Sequence, residues 1–445
     1  MTLRRAKPFW ARKVGGGVLP FISTWRTTNT STGSSTSTQV KLPLVSTGTY
    51  NFVVNWGDGN QDTITVWNQA ETTHTYAATG DYTVTITGTI TGFAFGGAGD
   101  LLKILTVSQW GSIIFKAQST TFGGVFRNCT NLNVTATDRP IFESGQQIGF
   151  FQGCSSLVFN SSINSWNVSP ITNLASFFFN CTLFNQPLSN WNVSNVTSLS
   201  QTFQGSAFNQ NINTWNVNNV TNMDRTFRSC PFNQPLNSWN LNGVTITRGM
   251  FAQNTAFNQD ISGWDVSTVQ TFGTTGEGMF RGATAFNQNI GSWNVSAGTS
   301  FVDFMRDKTN LNYSASNLDA IYNGWTNRSL ATGITISFGT IKYTTSGQAG
   351  RDLLTRTNAT VTVTNATNNG SGLIRITTGS AHGRTTGDKI FISGVTGTTE
   401  ANGGWIVTVI NATTIDLQAS TFTNTYVSGG TVRTGYGWTI TDGGL

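Results

Sequence analysis

FNQNINTWNVNNVTNMDRTFRSC, residues Phe208 to Cys230, is one unit of a repeat that fills the middle of the chain. Tryptophan recurs at Trp166, Trp191, Trp215, Trp239, Trp264 and Trp293, in steps of 24 or 25 residues and a last step of 29. Phe-Asn-Gln precedes five of them, at Phe184, Phe208, Phe232, Phe257 and Phe286. Asn-Val, Asn-Leu or Asp-Val follows each tryptophan, and then usually Val-Thr-x-Met/Leu. Weaker units precede at Phe126–Leu132 and Phe151–Leu157, and an insertion around Thr271–Gly278 accounts for the long step. A period of this size predicts one supersecondary unit per repeat, each too small to bury its own apolar face, stacked into a solenoid. The Trp and Phe positions are then internal ladders. The asparagines Asn185, Asn209, Asn233, Asn258 and Asn287 suit an internal amide ladder that satisfies backbone groups. The β-branched Val-Thr-x-Met segments predict one short strand per repeat, and Asp224–Ser229 a short helical turn.

Charge is scarce and unevenly placed. Only 10% of the 445 residues are charged, against about 25% in an ordinary soluble protein. Seven of the 25 cations lie in residues 1–57, which hold no acid, so the rest of the chain carries 18 cations against 19 acids. Between Glu143 and Asp224 no residue is charged. The net charge of +6 therefore belongs to the N-terminal arm, and the body offers no broad basic face for nucleic acid. No apolar run approaches the roughly 20 residues of a transmembrane helix, so no membrane insertion is expected, and no Sec-type leader is read at the start. The four cysteines, Cys129, Cys154, Cys181 and Cys230, each follow a phenylalanine by three residues, a slot held elsewhere by Ser206 and Ala283. They read as small buried residues. No metal site and no cofactor is predicted, because only His74 and His382 accompany them, out of register.

The motif F-N-Q-x-[I/L]-x-x-W-[N/D]-V, from about Phe126 to Phe304, resembles the BspA-like leucine-rich repeats of microbial surface proteins. The resemblance implies a right-handed solenoid and a role in adhesion. The aspartates usual in that motif are mostly asparagine here, with Asp260 and Asp265 retained.

Ahead of the repeats, Trp56-Gly57-Asp58-Gly59, then His74-Thr-Tyr76, then Gly80–Ile86 form a set in which alternating Tyr82, Val84 and Ile86 mark a half-buried strand. The set resembles a PKD-type β-sandwich. Asp58 and His74 read as groups bracing a turn, for which Gly57 and Gly59 supply positive φ. Residues 28–38, TNTSTGSSTST, read as a low-complexity loop or linker. After the repeats, Asn317–Trp325 predicts a helix, and Ala349–Leu354 belongs to a second segment of a closing cap. About 75 residues, Thr360–Thr434, stand between that segment and the expected last cap strand, Gly437–Asp442. The intervening segment, with HGRTTGDK at His382–Lys389 and ISGVTGTTEANG at Ile392–Gly403, resembles FCCH-type modules of bacteriophage tail proteins.

The expected fold class is mostly β with short helices: a PKD-like β-sandwich, a right-handed leucine-rich-repeat solenoid of 24–25-residue repeats, and a small β domain inserted in the C-terminal cap. The expected boundaries are 1–22 for a basic anchoring arm, 23–108 for the sandwich, 109–310 for the solenoid, 311–357 with 435–445 for the cap, and 358–434 for the insert. No P-loop, GxSxG, HExxH or dinucleotide fingerprint is present, and Asp260 with Asp265 is the nearest approach to a catalytic pair, so no enzyme and no catalytic residue is expected. The functional expectation is a structural protein of a phage particle: a surface-exposed fibre, spike or decoration protein that adheres to the host. Its arm, with Arg4, Arg5, Lys7, Phe9, Trp10, Arg12 and Lys13, is the candidate anchor to other virion proteins. The expected outer partner is a host-surface glycan or protein, and a homo-oligomer is allowed for. The alternatives are a bacterial cell-surface adhesin of the BspA-like class and a capsid decoration protein with no receptor role.

Overall fold

The computed structural model describes residues 18–117 and 123–445. The candidate anchor residues Arg4, Arg5, Lys7, Phe9, Trp10, Arg12 and Lys13 lie outside the described residues. The chain forms two compact units, Met1–Asn219 and Val220–Leu445.

The first unit opens with a six-stranded sheet in the spatial order Gln61–Ile64, Tyr50–Asn55, Asp81–Ile90, Phe21–Arg26, Ile104–Gln109, Asn133–Val134. Strict alternation drives it: Tyr50, Phe52 and Val54 point into the core while Asn51, Val53 and Asn55 face water. The pairings are antiparallel except the last, where Ile104–Gln109 takes Asn133–Val134 in parallel. Gly88 stands opposite Phe52 with φ +135°, and a β-carbon there would lie 2.5 Å from the Asn51 carbonyl oxygen. Only glycine fits that close crossing. A separate two-stranded ribbon pairs Gln39–Lys41 with Thr73–Thr75.

Residues 28–38 are tied down rather than linker-like. The ammonium of Lys103, fully buried, donates to the carbonyls of Ser35, Thr36 and Gln39 at 2.8–3.0 Å. Asp100, also buried, accepts the backbone N–H groups of Ser35 and Lys41 at 2.7 Å. The two charges sit 3.6 Å apart, so burial of each is offset by the other and by these bonds.

The repeats do not form the expected leucine-rich-repeat solenoid with a strand in every unit. Regular strands are confined to the ends of the repeat region and its insertion, and the repeats themselves are turns joined by isolated parallel bridges such as Asn173↔Ser198 and Asn222↔Ile246. The reason is backbone conformation. Residues two before and two after the core phenylalanine adopt left-handed φ: Ser176 and Asn180 around Phe178, Arg225 and Ser229 around Phe227, Gly249 and Gln253 around Phe251. Left-handed residues interrupt both a strand and a right-handed helix, so Asp224–Ser229 is not the expected helical turn either. Successive repeats are nonetheless joined by backbone bonds. Ser176, Phe178 and Asn180 donate to the carbonyls of Ser200, Thr202 and Gln204 at 2.8–3.0 Å.

Aromatic rings complete the stacking. Trp191 lies between Trp166 and Trp215, each 6.3 Å away and near parallel. Phe184 stacks on Phe208 at 6.1 Å, and in the second unit Phe232, Phe257 and Phe286 stack in series at 6.4 and 6.1 Å. Trp264 stacks on Trp293 at 6.4 Å. Trp239 is buried, 6.1 Å from Phe227. Four of the repeat indoles donate one repeat back: Trp191 to Ile163 O, Trp215 to Leu188 O, Trp264 to Leu236 O and Trp293 to Ile261 O, at 2.8–3.0 Å.

The second unit closes on a five-stranded sheet ordered Glu277–Gly278, Thr271–Thr274, Ser300–Phe301, Thr335–Ser337, Thr439–Thr441. Helix α1 (Ala315–Trp325) is capped by Ser314, whose hydroxyl accepts the Asn317 N–H, and α2 (Thr345–Thr355) by Thr344. Gly347 and Gly350 of α2 lie against Asp319 and Tyr322 of α1, where a side chain would collide. From α2 the chain enters a closed antiparallel barrel of six strands, ordered Ala359–Asn368, Ile374–Thr378, Thr414–Leu417, Gly403–Asn411, Lys389–Ser393, Thr431–Gly435. Ile374, Ile376, Ile390, Ile392, Val407 and Ile415 fill it. The chain then returns to the sheet as Thr439–Thr441, in parallel with Thr335–Ser337.

Candidate functional site

The Trp56 turn is a compact aromatic cluster. Gly57 and Gly59 have φ of +86° and +95°, which lets the chain reverse and carry Asp58 back over the sheet. The His74 ring stacks on Trp56 at 4.9 Å and meets Tyr76 edge-on at 4.6 Å. Its Nε2 lies 2.8 Å from Asp58 Oδ2. Tyr76 donates to the Trp56 carbonyl at 3.0 Å, and the Trp56 indole donates to Asp62 at 2.8 Å. Partial burial opposes ionisation of Asp58, but hydrogen bonds from His74 and Asn60 outweigh it and hold the carboxyl below the usual range. These hydrogen bonds close the turn.

The short polar side chains of the repeats make Asx turns. Asn167, Asn192 and Asn216 each accept the N–H two residues on, at 3.1–3.3 Å. In the second unit Asn240, Asp265 and Asn294 do the same, and so does Asp260 with Ser262. The turn needs one Oδ acceptor, so Asn and Asp are interchangeable there. For Asp260 the Ser262 backbone N–H, and for Asp265 the Ser267 side chain, hold the carboxyl below its ordinary value. The two acids therefore serve separate turns.

The Phe-Asn-Gln asparagines stand at the surface, not inside. Asn185 accepts the Asn209 N–H and the Gln210 side chain; Asn233 accepts from Asn258 and Gln259; Asn258 accepts from Asn287 and Gln288, at 2.8–3.1 Å. The cysteines form no disulfide and are buried. The thiols of Cys154 and Cys181 donate to the carbonyls of Phe126 and Phe151, and burial pushes both thiols up, away from reactivity. Among the described residues no group of three or more His, Cys, Asp or Glu side chains is arranged to hold a metal ion. No described helix is long and apolar enough to cross a membrane. In the barrel, His382 Nε2 lies 2.9 Å from the Asn411 carbonyl and its Nδ1 accepts the Arg384 N–H, an arrangement that braces a turn.

Charge does gather in two groups that the sequence reading passed over. In the second unit Asp224 takes Arg248 at 2.7 Å and Arg225 at 3.1 Å, and Glu277 takes Arg225 and Arg228 at 3.0 and 3.2 Å. Asp307 takes Arg281 at 2.9 Å, and Asp303 takes Arg306 at 3.3 Å. All occupy four positions around the core Phe or Met of each repeat. In the repeats centred on Phe178 and Phe203 those positions are neutral: Ala175, Ser176, Phe179 and Asn180, then Ser200, Gln201, Gln204 and Gly205. Lys308 was also missed. It fills the slot that holds cysteine elsewhere, is 1% exposed, and donates to the Ala283 and Phe286 carbonyls at 2.6 and 2.7 Å. Aligning the repeats on Met305 in place of Phe304 would have exposed it.

Residues 146–247 and 231–324 match the family described as Mycoplasma protein of unknown function, DUF285. The match covers the six-tryptophan region and less than half of the chain, and it is consistent with the BspA-like resemblance of the repeats. No curated protein matches the chain.

Proposed function

We propose that this chain is a non-enzymatic structural protein displayed on the surface of a phage particle as a fibre, spike or decoration protein, held by its basic N-terminal residues and adhering to the host surface. The observation that carries the reading is the outer row of Asx-turn side chains. Asn167, Asn192 and Asn216 in one unit, and Asn240 and Asp265 in the other, are exposed and recur once per repeat on a densely packed support. Such a row offers the same hydrogen-bonding group at regular intervals, which suits a repetitive partner such as a surface glycan. The FCCH-like resemblance of the barrel supports a particle over a cell. The partners on this reading are other virion proteins inward and a glycan or protein of the host outward, without nucleic acid, cofactor or membrane insertion.

A second reading, a bacterial cell-surface adhesin, is favoured by the family match, whose description names a cellular organism. Gold-labelled antibody against the chain tests both. Label on purified particles supports the first reading. Label on producing cells with none on particles refutes it in favour of the second. Purified protein that neither binds host cells nor slows adsorption, with particles still labelled, leaves decoration without a receptor role.

A further inference from the structure

Resting on the adhesive reading above, we propose that residues 167–219 of the first unit bind an uncharged, extended polysaccharide through two rows of oriented asparagine amides. One row is Asn167, Asn192 and Asn216, and the other is Asn195 and Asn219; all five are exposed.

Neighbouring atoms fix which way each amide points. In the first row Oδ1 accepts the backbone N–H of Ser169, Ser194 and Asn218 in turn, at 3.1–3.3 Å, so Nδ2 is the end turned to solvent. The second row is reversed. Asn195 Nδ2 donates to the Ser169 carbonyl at 2.9 Å and Asn219 Nδ2 to the Ser194 carbonyl at 2.7 Å, which leaves Oδ1 outward. Among the described residues no hydrogen bond takes the outward Nδ2 and Oδ1 atoms. The repeats of Asn192 and Asn216 thus each offer one amide donor and, three residues on, one amide acceptor. Backbone bonds between successive repeats set a spacing of about 5 Å, close to the length of one sugar residue in an extended chain. A sugar hydroxyl both donates and accepts, so such a pair matches it. Charge decides against an ionic polymer: no residue between Glu143 and Asp224 is charged, so an ionic group would lose hydration here without a counter-charge. Burial decides against a protein: Val168, Val193, Val217 and the three indoles between the rows' residues are at most 3% exposed, which leaves no apolar anchor. With no ring to stack on a sugar, affinity comes from repetition and grows with the number of repeats engaged.

The second unit shows how to perturb the donors alone. Asp265 makes the same Asx turn, accepting the Ser267 N–H at 3.0 Å, with a carboxylate oxygen in place of the outward donor. Asn192→Asp with Asn216→Asp therefore keeps both turns and deletes two donors.

The test uses the full chain, immobilised, with cellohexaose, β-1,4-mannohexaose and N-acetylchitohexaose, their disaccharides, and the charged polymers polygalacturonate and chitosan, alongside whole-cell binding. The wild type is expected to bind at least one hexaose at least tenfold more tightly than its disaccharide, and neither charged polymer. The double variant is expected to lose about tenfold or more. Leu183→Ala, which removes an exposed apolar side chain of the same unit, leaves binding unchanged. Failure to bind any hexaose overturns the proposal, as does equal binding of a charged polymer, a disaccharide bound as tightly as its hexaose, or a double variant that binds like wild type with unchanged melting. If the double variant melts early, Asn192→Ser with Asn216→Ser, whose hydroxyls can still accept the turn N–H, replaces it under the same criteria. Cells that bind wild type and the double variant equally refute the amide rows and leave adhesion standing. Absence of cell binding by wild type refutes adhesion itself.

Discussion

Lys308 sets a pH dependence of stability that can be worked out in advance. Its side chain is buried, its two described hydrogen bonds go to the carbonyls of Ala283 and Phe286, and among the described residues no carboxylate pairs with it. Burial therefore pulls its pKa down from 10.5 to about 7. An uncharged amine has two hydrogens, enough to keep both carbonyl bonds, so losing the proton removes the cost of burying charge without losing a hydrogen bond. The sign follows from linkage. The unfolded chain holds the proton up to its ordinary pKa and the folded chain releases it near 7, so folding is opposed below that pH and gains as pH rises. At about 1.4 kcal/mol per pH unit, the gain between roughly pH 6.5 and 8.5 is about 2 kcal/mol. Lys389, lowered by burial to about 8, adds less than about 1 kcal/mol over the same range. Above that range the unfolded cysteines, with an ordinary value of 9.0, ionise and reverse the trend. Urea unfolding of wild type and Lys308→Met, read by hydrogen exchange on peptides from residues 280–340, measures the slope. Lys308→Met should retain only the smaller Lys389 contribution. A wild-type stability that is flat over this range, or an unchanged slope in Lys308→Met, would refute the reasoning.

Three further outcomes are expected. Trp191→Ala removes a ring packed between two others together with its hydrogen bond to the Ile163 carbonyl, at a cost of about 3–5 kcal/mol, whereas Trp191→Phe keeps the stack and costs nearer 1–2 kcal/mol; denaturant midpoints compare them. Asp265→Asn keeps the Asx acceptor and should change stability by less than about 0.5 kcal/mol, a result differential scanning calorimetry can check; a large loss would show that the carboxylate has another task. Gly88→Ala forces a β-carbon against the Asn51 carbonyl and should cost about 2 kcal/mol or more, visible as early melting of the first unit.

How legible these features were follows from the physics of each. Periodic Trp and Phe gave the stacking because burial of large rings needs a fixed register, and that register is written directly in the spacing. Mostly-β character with few helices was legible for the same reason. The conformation inside each repeat was not. Left-handed φ at Ser176, Gln201, Arg225 and Gln253 is imposed by stacking on neighbours, since none of these residues prefers it. A Val-Thr-x-Met segment reads as strand on propensity alone, and that local preference is overruled. The surface position of Asn185 and its counterparts was misread because an amide that accepts a neighbour's N–H looks alike inside or outside the stack. Lys103 and Asp100 were invisible because a buried charge is made tolerable by carbonyls and N–H groups from distant segments, which spacing does not record. Tyr322, whose hydroxyl meets Asp442 at 2.6 Å across 120 residues, belongs to the same class.

The barrel's point of attachment bears on how this molecule can be altered. The chain leaves the cap at Ala359 and comes back at Gly435, and those two residues are directly paired, with Arg433 reaching across to the Asn358 side chain. Departure and return thus share one doorway a strand-spacing wide, about 5 Å. A doorway that narrow can be bridged by a short turn, or fitted with a different module whose ends lie equally close, without moving α2 or Thr439–Thr441. The cap is in effect a socket, and the fitted module can change while the stacked repeats beneath it keep their register.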